Sequence, residues 1–153
     1  MKTKPKAKGG AGKRILIVDD DPQVLEIFSA LLEQVGYRVE SAENALAAVA
    51  AVVQSPPDLI LADIRMPIVG GMSLVRELKA HVDSRHIPVV AFTGYDSPEM
   101  RDAALKAGYD DFLPKPVDPG PFLDQVDNLL CRLGKASKPT PAKASRARPS
   151  KKA

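Results

Sequence analysis

Apolar and polar positions along the chain switch repeatedly between two periods. Short unbroken apolar runs, Ile15-Leu16-Ile17-Val18, Leu59-Ile60-Leu61-Ala62 and Val89-Val90-Ala91-Phe92, read as strands buried on both faces, and weaker strand patterns lie at 38–41 and 110–113. Between them the apolar residues recur at helical spacing. Val24, Leu25, Phe28, Leu31, Leu32 and Val35 mark a first helix, opened by Asp21-Pro22 and closed by Gly36. Leu46, Val49, Ala50 and Val53 are assigned inward on a second helix over about 43–54, and Leu74, Val75, Leu78 and Val82 on a third. A fourth helix opens at Ser97-Pro98-Glu99 and ends at Gly108, with only Met100, Ala103, Ala104 and Ala107 as its apolar side. So thin a stripe predicts light anchoring and freedom to shift. A fifth, capped by Asp118 with Pro119 following, turns Phe122, Leu123, Val126, Leu129, Leu130 and Leu133 inward. Strands alternating with helices predict an α/β fold with a parallel sheet covered on both faces.

Chemistry-bearing residues cluster just past the strands. Asp19 and Asp20 follow the first run, Asp63 the third strand, Thr93 the fourth, and Lys115 the fifth. If the strands are parallel, all five side chains converge at the carboxyl edge of the sheet, where open α/β sheets build their sites. Three carboxylates in one pocket raise one another's pKa, so ionisation at neutral pH calls for a divalent cation. Carboxylate oxygens with open positions suit Mg²⁺, which works beside phosphoryl groups. Thr93 adds a hydroxyl donor and Lys115 a point charge for phosphate. The pocket is therefore predicted to place a phosphoryl group on an aspartate.

Val18-Asp19-Asp20-Asp21-Pro22, Asp63-Ile64-Arg65-Met66-Pro67, Phe92-Thr93-Gly94 and Phe112-Leu113-Pro114-Lys115-Pro116 resemble the signatures of the response-regulator receiver domain of two-component signalling, in that family's order and spacing. The resemblance runs from about Lys13 to Leu133. It implies a flavodoxin-like, doubly wound, five-stranded parallel sheet in the order 2-1-3-4-5 with five helices. It implies Asp63 as phosphoacceptor, and Asp19, Asp20, Asp63 and the main-chain carbonyl of Arg65 as Mg²⁺ ligands. Thr93 and Lys115 would bind the phosphoryl group, a cis bond before Pro116 would aim the lysine, and Phe112 would rotate as a switch. The signal would leave through the face of the fourth helix, fifth strand and fifth helix. The implied partners are a sensor histidine kinase or phosphotransfer protein and a downstream protein target.

Charge divides the chain into three parts. Residues 1–14 and 134–153 carry only basic charges, whereas the middle holds nine Lys/Arg against 19 Asp/Glu. The reading is a basic arm over 1–12, a receiver over 13–133 and a basic Lys/Pro/Ala-rich tail over 134–153, expected to be disordered because it has no aliphatic residue larger than Ala. The length suits a stand-alone receiver with no second ordinary domain. Cationic tails suit weak contact with nucleic acid or another anionic surface. Cys131 has no cysteine to pair with, and no apolar stretch reaches membrane-span length, so a cytoplasmic setting is expected.

Two other function classes compete. An aspartate-nucleophile phosphohydrolase would want Asp-x-Asp-x-Thr or Val, where this chain has Asp19-Asp20-Asp21-Pro22 followed by Gln23 and no cap-sized insertion. A nucleic-acid-binding protein acting through its tails, with the receiver regulating it, finds no helix-turn-helix segment or aromatic-interleaved basic patch. Gly9-Gly10-Ala11-Gly12-Lys13 imitates a phosphate loop but is followed by Arg14 and precedes a strand. His81 and His86 read as surface residues, and Cys131 as a small packing residue. Gly70, Arg65 and Tyr95 occupy loop positions that in this family affect loop rigidity and the lifetime of the phosphoryl group.

Overall fold

The computed structural model describes residues 12–64, 71–94, 97–115 and 119–137. Strands β1 (Arg14–Val18), β2 (Arg38–Ala42), β3 (Leu59–Ala62), β4 (Val89–Thr93) and β5 (Asp111–Pro114) alternate with helices α1 (Pro22–Gln34), α2 (Ala45–Gln54), α3 (Gly71–Ala80), α4 (Pro98–Ala107) and α5 (Pro119–Ser137). The strands form one sheet in the order β2-β1-β3-β4-β5, and every pairing is parallel. This is the doubly wound architecture that the alternating pattern and the motifs predicted.

The two-residue period of the strands sorts the core into two layers. Ile15, Ile17, Leu59, Leu61, Val90, Phe92 and Leu113 face α1 and α5. Leu16, Val18, Ile60, Ala62, Val89, Ala91 and Phe112 face α2, α3 and α4. In the first layer Phe28 of α1 meets Phe92 edge-on at 5.1 Å and Phe122 of α5 at 4.9 Å, which locks both helices onto β4. Local signals set the helix ends. The Asp21 carboxylate accepts from Gln23 N–H at 3.0 Å, Asn44 accepts from Ala47 N–H at 2.8 Å, and the Ser97 hydroxyl accepts from Met100 N–H at 3.0 Å. Gly108 ends α4 at φ 124°, a conformation that a side chain would strain.

Several inward assignments do not hold. On α2 the buried residues are Ala45, Ala48 and Val52, while Leu46 and Val53 are exposed. The alanines face the sheet because close packing there leaves room for small side chains. Helix α3 stops at Ala80, so Val82 lies past its end and is exposed. Ala103 on α4 is exposed, and only Ala104 and Ala107 of its stripe are buried. Cys131 is exposed rather than packed. Helix α5 continues past Leu133 to Ser137, into the stretch that composition assigned to the tail. The Asp118 cap and the rest of both tails lie outside the described residues. No described helix is long and apolar enough to cross a membrane.

Two buried tyrosines give the fold an alkaline signature. Burial pushes both phenols up from the ordinary 10.0, with help from the charge of Asp127 for Tyr37, whose hydroxyl donates to that carboxylate at 3.3 Å, and of Asp63 for Tyr109. A raised folded pKa means that the stability these phenols contribute is full below 10.0 and is lost as the pH rises through the folded value. Spectrophotometric alkaline titration should therefore show tyrosinate from Tyr37 and Tyr109 appearing late and together with loss of helical circular dichroism. Tyr37→Phe and Tyr109→Phe should each remove their share of that late step.

Candidate functional site at the carboxyl edge of the sheet

The parallel ladder continues by one hydrogen bond past each strand that carries a site residue. Asp19 N–H donates to Ala42 O at 3.1 Å, Asp63 N–H to Val18 O at 2.9 Å, and Lys115 N–H to Thr93 O at 2.9 Å. These backbone bonds fix where the side chains leave the sheet. Thr93 is itself the last residue of β4 and is buried.

The ladder brings Asp19, Asp20 and Asp63 together, with carboxylate oxygens all within 4.8 Å of one another. Asp19 and Asp63 are buried and Asp20 is exposed, so the cluster opens to solvent on the Asp20 side. Asp19 Oδ1 accepts the Asp21 N–H at 3.0 Å, which turns the chain from β1 into α1. Lys115 Nζ lies 2.6 Å from Asp19 Oδ2 and 3.5 Å from Asp63 Oδ2, and 5.9 Å from the centre of the Phe92 ring. Lys115 is the cation that these bonds bring to the cluster, against three carboxylates. The donor set is all oxygen and closely spaced, which fits a hard divalent ion such as Mg²⁺.

The protonation balance reflects this. Burial pushes the Asp19 carboxyl up, against the lowering effect of its bonds to Lys115 and to the Asp21 amide, and the charge of Asp63 adds to the rise. Burial pulls Lys115 down, but its bond to Asp19 and the charges of Asp63 and Asp19 outweigh it and hold the ammonium above the ordinary 10.5. Both partners of one ion pair rise because Asp19 is 1% exposed and Lys115 is 22% exposed. Solvation is lost mainly by the acid.

Phe112 is buried in the layer of α2, α3 and α4, and the Arg101 guanidinium of α4 lies 4.9 Å from its ring centre. The thin apolar side of α4 is thus supplemented by a cation over an aromatic face. Sequence reasoning did not single out Arg101, because an exposed helical arginine carries no pattern. It also passed over Tyr109, which follows the α4 stop and lies buried in the field of Asp63. Arg65 and Pro116, predicted as a carbonyl ligand and a cis-proline, lie outside the described residues, as does Tyr95.

Comparison with known proteins agrees on one family. The model for the response regulator receiver domain matches residues 15–127. The chain is 35% identical over 130 residues to the phosphate regulon transcriptional regulatory protein PhoB of Pseudomonas aeruginosa, covering 85% of this chain and 57% of that regulator. A CheY-like response regulator receiver domain protein from Methanospirillum hungatei superposes with a TM-score of 0.72 at 36% identity, over 82% of this chain and 99% of that one. The receiver domain of sensor histidine kinase PA1611 from Pseudomonas aeruginosa superposes with a TM-score of 0.71 at 32% identity, over 82% of this chain and 99% of its own. That structure has a magnesium ion coordinated in its active-site cleft.

An ionised, buried Asp19 should weigh on the ion-free fold. Because its folded pKa is raised, its contribution to stability is full below the ordinary 3.8 and is lost as the pH rises through the folded value. In metal-free buffer at neutral pH, Asp19→Asn should raise the thermal midpoint, and the gain should shrink as the pH falls toward the ordinary aspartate range. Added Mg²⁺ should raise the midpoint of wild type and leave that of the variant nearly still. Calorimetric scans with chelator and with Mg²⁺ check both.

Proposed function

The chain belongs to the response regulator receiver domain family, and on that premise we propose that it accepts a phosphoryl group on Asp63 from a histidine kinase or phosphotransfer protein and relays the event to a protein target. The observation that carries the reading is the convergence of Asp19, Asp20 and Asp63 within 4.8 Å under Lys115. Asp63 is the acceptor because it follows β3, at the centre of the sheet between β1 and β4. Its carboxylate oxygen forms the new bond to phosphorus as the bond to the donor imidazole nitrogen breaks, and that nitrogen leaves with the electron pair. Asp19, Asp20, Asp63 and the Arg65 carbonyl are the residues that would hold Mg²⁺. When bound, the ion neutralises charge on the transferring oxygens. Lys115 exchanges part of its bonding to Asp19 for a phosphoryl oxygen, and the Thr93 hydroxyl donates to another. Pro116, in the cis form in this reading, aims Lys115.

Transmission follows from the same residues. Thr93 moving toward the new group vacates space beside β4, and Phe112 turns into it, leaving Arg101 without its aromatic face. The α4, β5 and α5 surface then changes for a binding partner. Its rim carries the Arg132–Asp111 pair at 2.6 Å and the exposed Leu105. Receiver domains are signalling modules rather than enzymes with turnover, and the proposed chemistry is confined to self-catalysed phosphorylation and dephosphorylation of Asp63. A cytoplasmic setting, where phosphohistidine donors act, belongs to the same reading.

Asp63→Asn keeps the side-chain shape and removes the nucleophile. Incubation with acetyl phosphate and Mg²⁺ should add one phosphoryl mass to wild type and none to the variant, with unchanged circular dichroism. Undiminished labelling of the variant sinks the assignment.

The basic tail supports an accessory contact with nucleic acid. Lys138, Lys143, Arg146, Arg148, Lys151 and Lys152 lie beyond α5 with no acidic residue among them. If all engage duplex phosphates, log K falls with log salt at a slope of about −5. Deleting residues 138–153 should abolish that binding and leave Asp63 labelling intact. Salt-insensitive binding would place the contact elsewhere.

A further inference from the structure

Helix α2 departs from what a surface helix requires. Such a helix buries one stripe and turns charged or polar side chains to water. From Ala45 to Gln54 this one has no charged residue at all. Its buried side is Ala45, Ala48 and Val52, yet its outward side carries Leu46, Ala50 and Val53, with Leu46 82% and Val53 77% exposed. Those outward positions are spaced by four and then three residues, so they form one strip about 10 Å long.

The strip does not stand alone. It runs into a groove of about 620 Å³ between α2 and α3, floored by Val49, Val52, Pro56 and Leu78. The groove rim carries two carboxylates, Glu77 and Asp83, and no lysine or arginine among the described lining residues. His81 lies 2.9 Å from Glu77 and offsets that charge only when protonated. An apolar floor with an acidic rim selects a partner of complementary pattern.

We propose that the α2–α3 surface docks an amphipathic helix of a separate protein, with two aliphatic anchors about two turns apart and lysine or arginine on its flanks. One anchor fills the groove beside Val53 and the other packs against Leu46, with small Ala50 between them allowing close approach of the two helices. The flanking cations meet Glu77 and Asp83. The chain's own basic tail has the charge but not the anchors, since from Gly134 onward it holds no aliphatic residue larger than Ala. A second copy has the anchors but not the charge, since a two-fold contact brings the same acidic rim from both sides. This surface is separate from the carboxyl-edge pocket, and its role does not depend on phosphorylation of Asp63.

The probe is a synthetic helical peptide of about fourteen residues, with two leucines seven positions apart and flanking lysines, and a twin with glutamate in place of every lysine. Fluorescence anisotropy with the full chain should give saturable binding of the lysine peptide and roughly tenfold or greater weakening for its twin. Leu46→Asn with Val53→Asn leaves the net charge unchanged and, at exposed sites, should keep the thermal midpoint. It should weaken the lysine peptide roughly tenfold or more. Asp83→Lys should weaken the lysine peptide and strengthen its twin. Failure of wild type to bind, or equal binding by the asparagine double variant, overturns the proposal. So does a concentration-dependent dimer in sedimentation that the double variant abolishes, which would assign the surface to a second copy. Tighter binding after deletion of residues 138–153 would assign it to the tail instead. Asp63→Asn should bind the peptide as wild type does, so loss of the phosphoryl chemistry and loss of docking are read separately.

Discussion

The bond between Lys115 Nζ and Asp19 Oδ2, at 2.6 Å, joins residues 96 apart in sequence, and the rest of the molecule is arranged so that they can meet. Asp19 is buried, and its ionised form on its own carries a heavy desolvation cost. Lys115 offsets part of it and also reaches Asp63. That contact requires β1 next to β3 at the centre, β4 and β5 beyond, and every strand pointing the same way. An antiparallel strand at any of these places would carry its site residue to the opposite edge.

Around that bond three carboxylates crowd together. Among the described residues, the Lys115 ammonium faces three carboxylates whose oxygens approach within 4.8 Å. In the proposed reading, the cluster would hold a divalent ion and Lys115 would turn to a phosphoryl oxygen. The destabilising feature of the fold and its functional feature are thus the same feature.

Much of this was legible in the sequence because strand runs, helix caps and strand-end carboxylates are local signals with strong contrast. Asp21-Pro22 and Ser97-Pro98 mark helix starts by backbone chemistry that tertiary packing does not override. Helix α2 was misread because it has no contrast. Leu46, Val49, Ala50 and Val53 satisfy helical spacing, and so do Ala45, Ala48 and Val52. Val49 packs against the core as assigned, whereas Leu46, Ala50 and Val53 turn outward and Ala45, Ala48 and Val52 take the interior. Val82 failed for a different reason, since the turn after Ala80 breaks the period just before it. The contact of Arg101 with Phe112 was invisible because it depends on how α4 sits over β5, which no local pattern encodes.

The strand order also has a consequence during synthesis. A ribosome delivers β1, β2 and β3 first, and β1 lies between the other two, so three of the five strands can pair while the chain is still growing. Asp19, Asp20 and Asp63 are then all made before Lys115. Lys115 arrives last among the site residues, and β5 must find the far side of β4 before it can bond Asp19. A nascent or truncated chain lacking its last strand therefore lacks the ammonium that bonds Asp19. In such a fragment the buried Asp19 loses the bond that offsets its desolvation, so the growing chain is held together less firmly than the finished one.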